Sequence, residues 1–265
     1  MRKLFKISAN TIIAGAIACS VVPAASAAEG QAAPVASQAE VKFDLTVDQV
    51  MADPKYKDLN ITAEDARLYK KIELIKKSAP TASVSEVSEK LRQDHFDGQK
   101  VAPSALSDYE IIKQWNELTL AEQALVVTSP AAALVVNECR KKAVIYSDNG
   151  KYGYMHGNGT KKDAFRHAIW NALMCKYISK MSADAWATAH EQKSEAYFNE
   201  YTDGVSNREH TRMDLHNNQK GRDTWSVLTD SIFWTSDEDL INRVSQKIDN
   251  GEMIVFLPDY YRPAN

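Results

Sequence analysis

The chain has 265 residues with 32 basic and 35 acidic side chains, a formal charge of −3. Removing a leader of 27 residues takes Arg2, Lys3 and Lys6 with it and leaves 29 basic groups against 35 acidic, a charge near −6. A chain this acidic has no general electrostatic attraction for nucleic acid or anionic lipid, so neither is expected as a partner.

Residues 1–27 read as an export signal. Arg2, Lys3 and Lys6 precede an apolar stretch from Thr11 to Val22, and Pro23 leads into Ala24-Ala25-Ser26-Ala27-Ala28, with cleavage expected after Ala27. The apolar core falls well short of the roughly 20 residues that span a bilayer, so no transmembrane segment is expected once the leader is gone. Ala16-Ile17-Ala18-Cys19 offers a rival lipidation site at Cys19, but Ala16 stands where a lipobox carries a bulky apolar residue. A secreted, extracellular protein is the favoured reading. Cys139 and Cys175 are the two cysteines of the mature chain, too few for a disulfide framework whether or not they pair. The fold must therefore rest on its core, and about 240 residues suffice for a sizeable one.

Residues 28–42, rich in Ala, Gln, Ser and Pro, read as a flexible linker. Residues 43–103 turn helical: Thr62 to Asp65 forms an N-terminal cap, with Ile61, Leu68, Ile72 and Ile75 at helical spacing. A second helix is expected from Ser83, with Val84, Val87 and Leu91 on one face. This segment is lysine-rich with thin apolar stripes and reads as a helical lead-in without chemistry of its own.

Residues 104–265 form the main domain and open with three helix starts, at Ser107 with Glu110, Thr119 with Glu122, and Ser129-Pro130. Ile111, Ile112, Trp115 and Leu118 give the first a broad apolar face, and the third is expected to run from Pro130 to about Tyr146. Gly150, Gly153, Gly157 and Gly159 mark a loop. Thr160 and Asp163 cap a helix expected to reach about Met181, and Ser182 opens another to about Tyr201. A loop through Asp203-Gly204 leads to a helix from near Arg208, and Ser236 with Asp239 caps the last. Only Met253 to Leu257 looks strand-like, and one short run makes no sheet. The expected fold is all-α: a multi-helix bundle with a polar centre, preceded by a helical lead-in.

That polar centre carries the candidate chemistry. Five of the six histidines, His156, His167, His190, His210 and His216, fall within a quarter of the chain. Asp163, His167 and Asn171 are spaced by four and share one face of a helix whose flanks are apolar. His190 and Glu191 sit with Ser194 amid alanines and aromatics, and Asp214, Asn217 and Asn218 follow at helical spacing. Groups like these are costly to bury unless they pair or bind something.

Two readings stay open: a buried hydrogen-bond network, with Arg166 paired to Glu191 or Asp214, or a site in the bundle centre, either a metal site or a metal-free acid/base site. For the site, imidazole and carboxylate from facing helices suit a divalent ion, zinc or calcium, and His167, His190, Glu191 and Asp214 are the candidate ligands. His167, Asp163, Arg166 and Glu191 are the candidate catalytic groups. Asp163 is placed to fix the His167 tautomer and Arg166 to meet negative charge. Asn171, Asn217, Asn218 and His216 would complete the surroundings, while His210 and the loop residue His156 are weaker candidates. There is no His-Glu-x-x-His, no phosphate-binding loop and no Gly-x-Ser-x-Gly elbow. Cys175 reads as core.

The segments Asp163-Ala-Phe-Arg-His-Ala-Ile-Trp-Asn-Ala172, Ala189-His190-Glu191 and Met213-Asp214-Leu215-His216-Asn217-Asn218 with Gly221 resemble a bacterial domain of unknown function. That domain is found in secreted proteins and at the ends of some toxin-like polypeptides. The resemblance begins near Trp115-Asn116-Glu117-Leu118-Thr119, includes Pro130 and extends to about Thr224. A fainter resemblance is to bacterial phospholipases A2, which place an Arg-His pair on a helix as Arg166-His167 does. Those enzymes follow the histidine with an aspartate that helps hold calcium, where this chain has Ala168. The leading expectation is a secreted helical hydrolase of ester or phosphoester bonds in a small or envelope-derived substrate. The alternatives are a non-catalytic exported binding or structural module and a toxin or effector domain.

Overall fold

The computed structural model describes residues 43–97 and 104–257; the expected leader, Cys19 and the expected linker lie outside them. The described residues form a multi-helix bundle with a small buried polar core, and a helical N-terminal segment precedes the main bundle. That segment holds α1 (Val47–Ala52), a 3-10 turn (Pro54–Leu59), α2 (Ala63–Ser78) and α3 (Val84–Asp97). The bundle continues with α4 (Ser104–Asn116), α5 (Leu120–Thr128), α6 (Pro130–Asn149), α7 (Lys161–Tyr177) and α8 (Lys180–His190). A short α9 (Glu195–Phe198), α10 (Asn207–Arg222) and α11 (Asp237–Asp249) complete it.

The expected caps at Thr62/Asp65, Thr119/Glu122 and Ser236/Asp239 are reciprocal capping boxes, each satisfying two backbone donors that a helix start leaves open. Other boundaries differ from expectation. Helix α4 begins at Ser104, so Ser107 and Glu110 lie inside it, and α6 runs on to Asn149. Ser179, not Ser182, is the N-cap of α8: its side chain accepts the Ser182 N–H at 3.0 Å, which ends α7 four residues early. Ser194 accepts the Tyr197 N–H at 3.2 Å and starts α9, so α8 stops at His190 instead of reaching Tyr201.

Two further corrections concern strands. Tyr201–Thr202 and Val205–Ser206 pair as a minimal antiparallel hairpin. Asp203 and Gly204 both take positive φ, the turn that an Asp-Gly pair supplies between twisted strands. The run Met253–Leu257 belongs to no sheet. Its Ile254 backbone is bonded in both directions by the Asn217 amide at 3.0 Å, and the Phe256 and Leu257 N–H groups donate to Gly159 O. A side chain thus stands where a neighbouring strand would be.

At the centre lies α7, packed against α6, α8, α10 and α11. Of its 17 residues 14 are buried, including Asp163, His167 and Asn171. The lead-in adds to the same hydrophobic core: Val47, Val50, Ile72 and Leu91 are buried, with α1 and α2 resting on α6. Cys139 and Cys175 are separate buried thiols. The loop from α10 to α11 exposes Val227, Leu228, Phe233 and Trp234. Among the described residues no helix is long and apolar enough to cross a membrane.

Where α10 crosses α7 the two backbones nearly touch. A Cβ on Gly221 would lie 2.1 Å from Ala168 O and 2.6 Å from Ala168 Cα. Neither partner is the tip of a flexible side chain, so nothing can swing aside. Gly221→Ala is therefore expected to cost about 3 kcal/mol or more through forced helix separation, whereas Asn250→Ala on the exposed end of α11 changes little. Thermal melts of the two variants check this, and a Gly221→Ala protein melting like the parent would refute the close crossing.

Candidate functional site

Asp163 is in the first turn of α7, where Thr160 Oγ1 accepts its N–H at 3.4 Å. Its Oδ2 accepts the Gly159 N–H at 2.8 Å, and its Oδ1 is bound by Arg166. Gly159 has φ +78, and a Cβ there would meet His210 Cε1 at 3.1 Å, so the glycine lets the loop close over this carboxylate. One turn on, His167 Nε2 lies 3.6 Å from Asp163 Oδ1 and 3.4 Å from Asp214 Oδ1 of α10. The other ring nitrogen, Nδ1, lies 3.8 Å from Glu191 Oε1 at the C-cap of α8.

One ligand atom each from Asp163, His167 and Asp214 falls within 4.8 Å of the others, the arrangement of a three-residue metal site. An ion held tetrahedrally at the usual zinc bond lengths separates its ligand atoms by roughly 3.3–3.6 Å. The observed 3.4 and 3.6 Å separations match that spacing. They are too long for good hydrogen bonds. Accordingly His167 Nδ1, Glu191 Oε1, Asp214 Oδ1 and Asn218 Nδ2 are buried with no hydrogen-bond partner among the described residues. Unpaired groups of this kind are few in native interiors, and three of these atoms belong to His167 and to the two acids, Glu191 and Asp214, that face its ring nitrogens.

Electrostatics follow from the burial. Burial pushes His167 down to about 4, with Asp163 opposing and Arg166 and His190 adding to the shift. Burial first, then the charges of Asp163 and Glu191, pushes Asp214 up to about 9 against the pull of Arg166 and Lys193. Glu191 is raised by burial, against the charges of His190 and Lys193. Near neutral pH the cluster holds a neutral imidazole and a protonated Asp214, and a cation would have to displace that proton.

The other expected residues are distributed as follows. Arg166 pairs with Asp163, not with Glu191 or Asp214. His190 stands outside the group of three and bonds Glu122 through Nδ1 at 2.8 Å. Asn171 donates to Asn218 Oδ1 at 2.7 Å and accepts from Arg222 at 2.8 Å, and Arg222 also meets Asp184. Asn217 holds the 253–257 segment, and His216 Nε2 donates to Glu252 O at 3.0 Å. His210 donates to Thr202 O, and His156 is exposed. Glu122 and Lys193 were missed as site neighbours. Glu122 could be read only as a cap because 68 residues separate it from His190, and Lys193 lies in a stretch with no period to place it.

Residues 123–252 match the model of a family described as a domain of unknown function, DUF6973. The match covers all of Asp163, His167, Glu191 and Asp214, starting later and ending later than the motif resemblance implied. No curated protein and no solved structure matches the chain.

Asp214 yields a test through pH. Its folded pKa of about 9 lies above the ordinary carboxylate value. Its protonated form therefore stabilises the fold at low pH, and that contribution is lost as pH rises toward 9. In metal-free protein, Asp214→Asn should raise stability at pH 8 by about 1–3 kcal/mol and make little difference near pH 4. Denaturant titrations at both pH values decide it, and a variant less stable than the parent at pH 8 would contradict the buried-carboxyl assignment.

Proposed function

We propose that this protein is an exported, metal-dependent hydrolase of ester or phosphoester bonds, with a divalent ion held by Asp163, His167 and Asp214. The observation that carries the reading is the convergence of these three donors beside four buried polar atoms that the protein itself leaves unbonded. One imidazole and two carboxylates make a zinc-type donor set. Calcium instead takes six to eight oxygens. Three protein ligands leave a position open for water or substrate, and an ion there would acidify a bound water and ready it for attack.

The surrounding residues give the substrate a sign. Arg166 is held by Asp163 yet is about a third exposed, so its remaining donors can meet a phosphoryl or carboxylate oxygen. Glu191 faces the nitrogen of His167 that points away from Asp163 and Asp214. This favours Glu191 over Asp163 as the group that orients the imidazole, and gives Asp163 the role of ligand. Secretion rests on the leader pattern of residues 1–27, and mass spectrometry of the mature N-terminus, expected at Ala28, tests it.

A second reading, a buried network that only locks the helices, is favoured by the hydrogen bonds that link Asn171 to Asn218 Oδ1 and to Arg222. It gives no account of the unbonded atoms around His167. The two readings separate on calorimetric titration with zinc and on turnover of bis(p-nitrophenyl) phosphate and p-nitrophenyl butyrate. The metal reading expects zinc to bind and raise the melting temperature. His167→Ala and Asp214→Ala should each weaken binding at least about 100-fold and abolish turnover. Zinc affinity and turnover that survive both substitutions would remove the proposal.

A further inference from the structure

A second ionisable pair borders the cluster. Glu122 closes the capping box of α5, its Oε2 accepting the Thr119 N–H at 2.8 Å, while its Oε1 lies 2.8 Å from His190 Nδ1 at the end of α8. Thr119 Oγ1 donates to Ala189 O at 2.8 Å, so the two helix ends are tied twice over and Glu122 has both oxygens committed. Burial alone would raise Glu122, but the hydrogen bond and charge of His190 outweigh it and hold the carboxyl below its ordinary value.

Because an ionised carboxylate only accepts, Nδ1 of His190 must donate, and in the neutral ring Nε2 is then the bare nitrogen. Nε2 has no hydrogen-bond partner among the described residues, and the side chain is 32% exposed. The ring meets Trp170 edge-on at 5.3 Å, one turn past His167 on α7. The next residue is Glu191, whose carboxyl reaches within 3.8 Å of His167. The result is an imidazole fixed through Nδ1 by a buried carboxylate and open at its other nitrogen, with its chain neighbour Glu191 beside His167.

Resting on the hydrolytic reading above, we infer that His190 is the proton-transfer residue of the reaction and Glu122 its positioning residue, so that His190 is not a ligand of the ion. Nε2 takes a proton from the attacking water as the water oxygen bonds to phosphorus or to the acyl carbon. The bond to the leaving oxygen then breaks with its electron pair on that oxygen, and Nε2–H returns the proton there. His190 thereby ends as it began. The arrangement follows the general logic of a base oriented by a third group.

The test uses the mature chain loaded with zinc, as parent, His190→Ala, His190→Gln and Glu122→Gln. Zinc affinity is read by calorimetry, turnover on bis(p-nitrophenyl) phosphate and p-nitrophenyl butyrate, and the His190 tautomer by ¹⁵N NMR. Zinc affinity is expected to hold in all four proteins. In the His190 variants kcat should fall on the order of 100-fold with KM little changed, and added imidazole should restore part of the rate to His190→Ala. Glu122→Gln should show a smaller loss of kcat and a mixed His190 tautomer. Loss of zinc affinity in His190→Ala would make it a ligand, and undiminished kcat would make it structural; either overturns the inference, as does a parent ring protonated on Nε2. A parent that binds zinc but cleaves neither probe overturns the hydrolytic reading and this one together.

Discussion

A helix enclosed by others has no water to satisfy its polar side chains, and α7 is such a helix. With α6, α8, α10 and α11 around it, each of Asp163, His167 and Asn171 must find its partner within the protein. Asn171 finds two, through Asn218 and Arg222 of α10. Asp163 finds the Gly159 backbone and Arg166. His167 finds carboxylates on three sides at distances that bond none of them well. The same stripe is therefore satisfied at its ends and open in the middle.

That contrast divides the polar groups of this core into two kinds. A network that exists only to fix packing gains by closing every bond, since a half-satisfied buried group costs more than an apolar one. Asn171, Asn218 Oδ1, Arg222 and Asn217 follow this rule. Asp214, held protonated by its surroundings, is instead a stored cost in the metal-free fold. Strain of this kind is commonly concentrated where a ligand relieves it.

Much of the architecture was legible because it is local. Capping boxes at Thr62, Thr119 and Ser236 operate over three residues, and their spacing is visible in the sequence. The polar stripe of α7 is likewise a matter of period. The errors arose where one local signal competed with another: Ser179 and Ser182 both resemble caps, and only the fold decides that Ser179 serves. The extended run at Met253–Leu257 has strand composition, but its backbone is satisfied by Asn217, a residue about 37 positions away. For the site, Asp163, His167, Glu191 and Asp214 could be named from spacing, whereas the division of labour between Asp163 and Glu191 could not. Which ring nitrogen each one faces depends on how α8 and α10 are set against α7.

That setting returns to the missing side chain at Gly221. With α10 resting directly on the Ala168 peptide at Gly221, the helices bearing Asp214 and His167 have no side chain between them at that crossing to compress or slide. At that point the spacing of the two helices is set by main chain, which is stiff, and not by side-chain rotamers. An ion in the proposed site would meet the rigidity of two helices, so any selection by radius would draw on a contact that touches no ligand at all.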